Sequence, residues 1–319
     1  MPLLTPRKYY KPFQYQQAYD FWELQQTSFW LHTEINMDAD IYDWKFNLTD
    51  SERKIIGNIL KSFVQAEILI GDFWRKVATH FQIPEVSMMA ACFSSFETIH
   101  ITAYAYLNDT LGITDWEEFL TDAVVMERLN RLSSPPDTTK DRKQLATSLA
   151  VFSAFGEGVS LFSAFTILLS FTQRGLMRGL GEIIEMSIRD ESLHAKAGCW
   201  LFNTFISENK DVHDIKKDLY EAGRLTVKIE DKFIDQVFDG NTLPNCNPDD
   251  LKEFIRQRCN NQLRAIHLKP EYKIDKAKVQ RLNWFNLASA GDQHGDFFAS
   301  RITQYARTSG YEDMWKGVE

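Results

Sequence analysis

Residues 96–104 read FETIHITAY and residues 189–198 read RDESLHAKAG. Each holds a Glu-x-x-His step, Glu97 to His100 and Glu191 to His194. On a helix, residues three apart share a face. Glu97 and His100 then lie on a stripe with Met89 and Phe93, and Glu191 and His194 on one with Ile184, Ile188, Leu201 and Phe205. Both stripes are apolar, the kind that turns inward. Carboxylates and imidazoles there need partners, because burying them alone is costly.

Two more carboxylates break the same rule. Glu67 falls on the stripe of Ile56, Leu60, Phe63 and Val64, and Glu157 sits inside LAVFSAFGEGVSLFSAFTILLSF, residues 149–171. The order along the chain is Glu, Glu-x-x-His, Glu, Glu-x-x-His. Four helices carrying that set form the dinuclear carboxylate site of ferritin-like bundles. Four carboxylates and two imidazoles suit two divalent ions of the iron or manganese kind. A lone buried His or Glu is more often a hydrogen-bonded core group; the joint pattern favours metal. Tyr104, one turn after His100, shares its inward face. Its ordinary role is a core phenol with one hydrogen bond; beside an oxygen-activating centre, a phenol is also oxidisable.

The rest of the chain agrees with an all-α, ferritin-like bundle around a dinuclear site. No proline interrupts 13–83, 85–134 or 137–243, and interior proline breaks helices. Helices are expected from about Glu52, with Thr49 or Asp50 as cap, and over 84–108, 143–171, 179–206, 211–239, 249–265 and near 275–306. Loops fall near 109–116, 133–142 and 240–248. One domain covers 1–307 and a tail covers 308–319.

The 319 residues carry 36 Lys+Arg and 44 Asp+Glu, a net charge of −8. This acid excess argues against nonspecific nucleic-acid binding. Cys92, Cys199, Cys246 and Cys259 have no zinc or Cys-x-x-Cys spacing, which fits free thiols in a reducing compartment. The N-terminal segment lacks the apolar run of a signal peptide. Residues 149–171 are long enough to span a bilayer, but the central Glu157 argues for a buried helix and no membrane. A cytoplasmic location is expected.

These motifs resemble the small, radical-generating subunit of class I ribonucleotide reductase. The likeness runs from about Phe13 to the tail, on FETIHITAY, RDESLHAKAG, FGEGVSLFSAF at 155–165 and SFVQAEILIGDFW at 62–74. It implies metal ligands Glu67, Glu97, His100, Glu157, Glu191 and His194, and a radical at Tyr104. It implies a radical-transfer path through Trp30 and Asp190, with Asp190 joined to His100, ending at a tail tyrosine, Tyr305 or Tyr311. The implied partners are the large catalytic subunit, a second copy in a homodimer and, for some members, an activating flavoprotein. Tyrosyl-radical members usually have Asp where this chain has Glu67. Members with a mixed manganese–iron cofactor have Glu there but usually lack the tyrosine. Two iron ions are the first expectation, with two manganese or one of each as alternatives. Gly156 and Gly158 flank Glu157 and are read as easing a local helix distortion. The competing function is a dimetal oxidase acting on a small molecule or lipid. Phe152 stands where related ligand-binding oxidases carry a crosslinking tyrosine. Ferritin storage chains are much shorter.

Overall fold

The computed structural model describes residues 3–114, 121–132 and 141–286. Helix α1 spans Gln16–Thr27 and α2 Asp38–Tyr42, followed by a π turn at Asp43–Asn47. Helix α3 spans Asp50–His80, α4 Pro84–Leu111 and α5 Ala123–Leu132. Helix α6 spans Arg142–Ala150, a π-helical segment covers Val151–Ser160, and α7 spans Phe162–Thr172. Helix α8 spans Arg178–Glu208, α9 Lys216–Phe238, α10 Pro248–Ala265 and α11 Lys276–Arg281. Among the described residues there is no strand, only an isolated bridge between Leu243 and Cys246.

Helix ends follow local chemistry. Thr49 caps α3 in a reciprocal capping box with Glu52. Pro84 opens α4, where its missing N–H costs nothing, and Gly112 (φ 72°) closes it three residues later than expected. The start of α8 is held from another element. Asp40 accepts from the Gly179 and Leu180 amides at 2.9 and 2.8 Å, and Asp43 from Met177 at 2.9 Å. Carboxylates are favoured there because helix N-terminal amides are unpaired and positively polarised.

Helices α3, α4 and α8 and the π segment surround one core, with α1 laid across α4. Phe63, Phe73, Trp74, Phe93, Phe155, Phe162 and Phe165 are fully enclosed in it. Each such side chain contributes about 1.5–3 kcal/mol by leaving water. The apolar stretch that could have crossed a membrane lies within Arg142–Thr172, whose most apolar window is 94% buried inside the bundle.

The chain departs from the sequence expectations at several points. One helix was expected over 143–171, but it is divided into α6, the π segment and α7. Helix α9 begins at Lys216 behind a 3-10 turn at Lys210–Ile215 rather than at 211. Helices α1, α2 and α5 were not anticipated. The helix near 275–306 is seen as α11, and residues 287–306 lie outside the described residues. The boundary between 307 and 308 lies there too, as do Tyr305 and Tyr311.

Candidate metal centre

The long helices α3, α4 and α8 and the π segment each bring one carboxylate to a common point. Oxygen and nitrogen atoms of Glu67, Glu97, His100 and Glu191 lie within 4.8 Å of one another, as do those of Glu97, Glu157, Glu191 and His194. The two sets share Glu97 and Glu191. Together the two sets offer six side chains that could hold a pair of ions, Glu67 and His100 in one set, Glu157 and His194 in the other. All six side chains are fully buried.

The donors fit a pair of cations. Both oxygens of Glu67 and of Glu191, Oε1 of Glu97, Oε2 of Glu157 and Nδ1 of His194 complete no hydrogen bond. Buried polar atoms are almost always paired, so this many orphans aimed at one place call for an absent positive charge. His194 Nδ1 comes within 2.7 Å of Glu97 Oε1, and His100 Nδ1 within 3.1 Å of both Glu97 and Glu191. Burial first, then the charges of Glu191 and Glu97, push Glu67 and Glu157 well above the usual carboxylic-acid range. Burial acts on Glu97 in the same sense, but His194 and His100 outweigh it and hold that carboxyl low. The site without ions is electrostatically frustrated, and two divalent cations would neutralise it.

Both imidazoles turn Nδ1 inward and are held from outside by Nε2. His100 Nε2 meets Asp190 Oδ2 at 3.2 Å, and His194 Nε2 meets Gln25 Oε1 at 3.0 Å. Gln25 also donates to Asp190 Oδ1 at 3.0 Å, joining the two supports. Such outer bonds fix the tautomer and orientation of ligand histidines. Trp30 donates its indole N–H to Asp190 Oδ2 at 2.8 Å, and its ring stacks on His100 at 5.9 Å between centroids. Trp30, Asp190 and His100 therefore form one continuous bonded line. Burial opposes ionisation of Asp190, but its bond to His100 leads the effects that keep its carboxyl low.

Tyr104 is fully buried one turn beyond His100, with its ring 6.3 Å from the His100 ring and 4.9 Å from that of Phe63. Burial first, then the charge of Glu67, push its phenol well up. Phe152 stacks on Phe73 at 3.6 Å. The four cysteines are free and buried, and burial pushes the Cys199, Cys246 and Cys259 thiols up to about 12.

Two polar neighbours of the site escaped the sequence reading. Gln25 follows Ala18 and Phe21 on the buried stripe of α1, a polar residue at an apolar rung. Trp74 lies two turns beyond Glu67 and donates to Glu157 Oε1 at 2.5 Å.

The π segment gives Glu157 its place. Gly158 matters there through contact, not through a special dihedral. A Cβ on Gly158 would lie 2.5 Å from the Gln262 side chain. On the other side, a Cβ on Gly198 of α8 would lie 2.0 Å from Ser153 Oγ. Arg258 donates to the Gly158 carbonyl at 3.0 Å, and Arg128 donates to that of Ser160. Guanidinium groups thus take up carbonyls near the end of the irregular segment, where the regular ladder is interrupted.

The chain matches the family "Ribonucleotide reductase, small chain" over residues 7–279. It is 31% identical to the probable ribonucleoside-diphosphate reductase small subunit 376L of Invertebrate iridescent virus 6, covering 97% of this chain and 96% of that one. The fold is shared with the ribonucleotide reductase R2 subunit of Clostridium botulinum, at a TM-score of 0.77 and 20% identity over 89% of this chain and 91% of that one. It is shared also with the dimanganese(II) NrdF of Streptococcus sanguinis, at 0.72 and 18% over 86% and 98%. These likenesses favour a reductase subunit over a small-molecule oxidase. An all-α ferritin-like bundle, two overlapping ligand sets and a family match over most of the chain make this protein a member of the ribonucleotide reductase small-chain family, the oxidoreductase subunit of ribonucleoside-diphosphate reductase.

Proposed function

We propose that this subunit binds two metal ions on Glu67, Glu97, His100, Glu157, Glu191 and His194 and keeps a radical on Tyr104 for use by the large subunit. The observation that carries this reading is the pair of ligand sets sharing Glu97 and Glu191, with Tyr104 one turn beyond His100. When bound in reduced form, the metals supply the means to turn dioxygen into an oxidant. Tyr104 gives up one electron and its phenolic proton. Phe63 and its neighbours exclude water and stray reductants. Asp190 holds the outer nitrogen of His100 and the Trp30 indole, a route for an electron and a proton towards the surface. Tyr305 or Tyr311 would continue it in the tail.

Two iron ions are the first choice, with two manganese or a mixed pair next, since Glu67 and Tyr104 occur together. The large subunit would hold the ribonucleotide and the reducing thiols, which the buried cysteines here cannot provide. The functional form is a homodimer in the cytoplasm, with an activating flavoprotein as a further partner.

The test is to load the chain with iron or manganese, admit oxygen and record electron paramagnetic resonance. A tyrosyl signal that is missing from Tyr104→Phe is the expected result. No radical under any loading, with a flavoprotein supplied, would remove the Tyr104 role. Failure to reduce nucleotides with any related large subunit would favour the oxidase.

A further inference from the structure

The Tyr104 hydroxyl is left without a partner by the ligand set. Its oxygen completes no hydrogen bond although the side chain is fully buried. Leaving a buried hydroxyl unpaired is costly. The register of α4 against α8 identifies what faces it. Glu97 meets His194, and His100, three residues on, meets Glu191, three residues back. The two helices therefore run antiparallel and in step. One further turn, four residues on each, sets Tyr104 opposite Ser187.

Ser187 is suited to that place. It is fully buried. Its hydroxyl donates to the Ile183 carbonyl at 2.9 Å, the back-bond common for helical serine. A hydroxyl has two lone pairs besides its hydrogen, so Ser187 Oγ remains free to accept. Its influence already reaches the phenol. Burial first, then Glu67, push the Tyr104 pKa up, while His100 and then Ser187, acting as a donor towards the ionised oxygen, pull the other way. Asn108, one turn further, is turned to the Tyr104 main-chain carbonyl at 2.8 Å. The Glu67 oxygens belong to the metal set.

We propose that Ser187 is the positioning residue of the Tyr104 phenol. Its Oγ accepts the Tyr104 O–H while donating to the Ile183 carbonyl. It turns its own hydrogen onto the Tyr104 oxygen in the radical state, where that oxygen has no proton to give. The second half of this proposal rests on the Tyr104 role proposed above; the first half does not.

The experiment uses the full chain labelled with carbon-13 at the tyrosine ζ position. The Tyr104 resonance is identified by its loss in Tyr104→Phe. In the metal-free protein, Ser187→Ala is expected to shift that resonance beyond its linewidth, and Ser187→Thr, which keeps a hydroxyl, to return it. If Ser187→Ala fails to fold, Ser187→Cys carries the same comparison with a weaker hydrogen-bonding group. In the oxygen-treated, metal-loaded protein, Ser187→Ala is expected to raise the low-field g component of the radical at high field, because a hydrogen bond to the phenoxyl oxygen lowers it. An unmoved Tyr104 resonance in Ser187→Ala overturns the proposal and leaves Glu67 as the partner. A radical with the same g component in wild type and Ser187→Ala overturns the radical-state bond and leaves the Tyr104 role standing. A shifted resonance without any radical removes the Tyr104 role and leaves the hydrogen bond standing.

Discussion

Gln25 holds His194: its Oε1 lies 3.0 Å from Nε2 of the imidazole, so that ring nitrogen donates outward and Nδ1 is left for the metal. The same carboxamide donates to Asp190, which holds His100. One neutral side chain on α1 thus ties together the supports of both histidines. Replacing Gln25 by Leu keeps much of its volume and removes both bonds. Metal affinity is expected to fall roughly 10–100-fold, measured by competition with a chromogenic chelator. Unchanged affinity would show that packing alone fixes the rings.

The metal-free protein should lose stability as pH rises. Burial, then carboxylate repulsion, raises Glu67 and Glu157 above the ordinary 4.5, and Glu191 is raised too. Burial opposes a charge on His100, but Asp190, Glu191 and Glu97 outweigh it and raise that group above its ordinary 6.5. A raised folded-state pKa gives stability that is whole below the unfolded value and lost as pH climbs through the folded one. All four groups share that sign, so the window opens at 4.5 and extends upward. Glu97 and Asp190, held low, act the other way and lose their contribution only on acidification. Metal uptake should release protons and strengthen with pH. Thermal unfolding of metal-free and loaded protein across this window, with proton release followed by an indicator dye, gives the check. A metal-free protein that gains stability with rising pH would contradict it.

Gly198→Ala should disturb the metal centre through the backbone. The new methyl group meets Ser153 Oγ and Cβ at 2.0 and 2.4 Å, with the Ser153 Cα at 3.5 Å behind them. The π segment must move, and Glu157, four residues on, moves with it. Such overpacking typically costs about 1–3 kcal/mol. Denaturant unfolding should record the loss, and the ion on Glu157 and His194 should bind more weakly than the one on Glu67 and His100. Gly158→Ala should be milder, because the nearest atoms belong to the flexible end of Gln262.

Arg128 and Glu230 form a buried ion pair at 2.8 Å, supported by Ser62 at 3.0 Å and by Ser163. Glu230→Ala leaves an enclosed guanidinium uncompensated and should cost roughly 3–5 kcal/mol. The double variant with Arg128→Met should cost less than the two single changes summed. Calorimetry of the metal-free chain gives all three values; additivity would mean that the charges do not see each other.

The candidate ligands were legible because each violated an expectation at a known period. A carboxylate on an apolar helical stripe, or inside residues 149–171, has few explanations. That the chain forms long helices was legible from its proline-free stretches, as α3, α4 and α8 show. Gln25 was not, because its meaning depends on α1 meeting α8, which no local pattern encodes. The π segment was only hinted at by Gly156 and Gly158. Its irregularity depends on tertiary neighbours: Arg258, Arg128, Gln262 and the bare face at Gly198. Trp74 was not legible either, because the Glu157 it bonds comes from another element.

The in-step pairing of α4 with α8 also limits how such a chain can change its length. One residue inserted or deleted between Glu97 and Tyr104, or between Ser187 and His194, rotates everything beyond it by about 100° on a helix of 3.6 residues per turn. Every rung beyond the change would then come apart at once. The connections after Gly112 and between Thr172 and Arg178 lie outside that in-step stretch, so a change of length there leaves the rungs in phase. Insertions and deletions that preserve the site should therefore collect in those connections and at the chain's ends, leaving the two eight-residue windows intact.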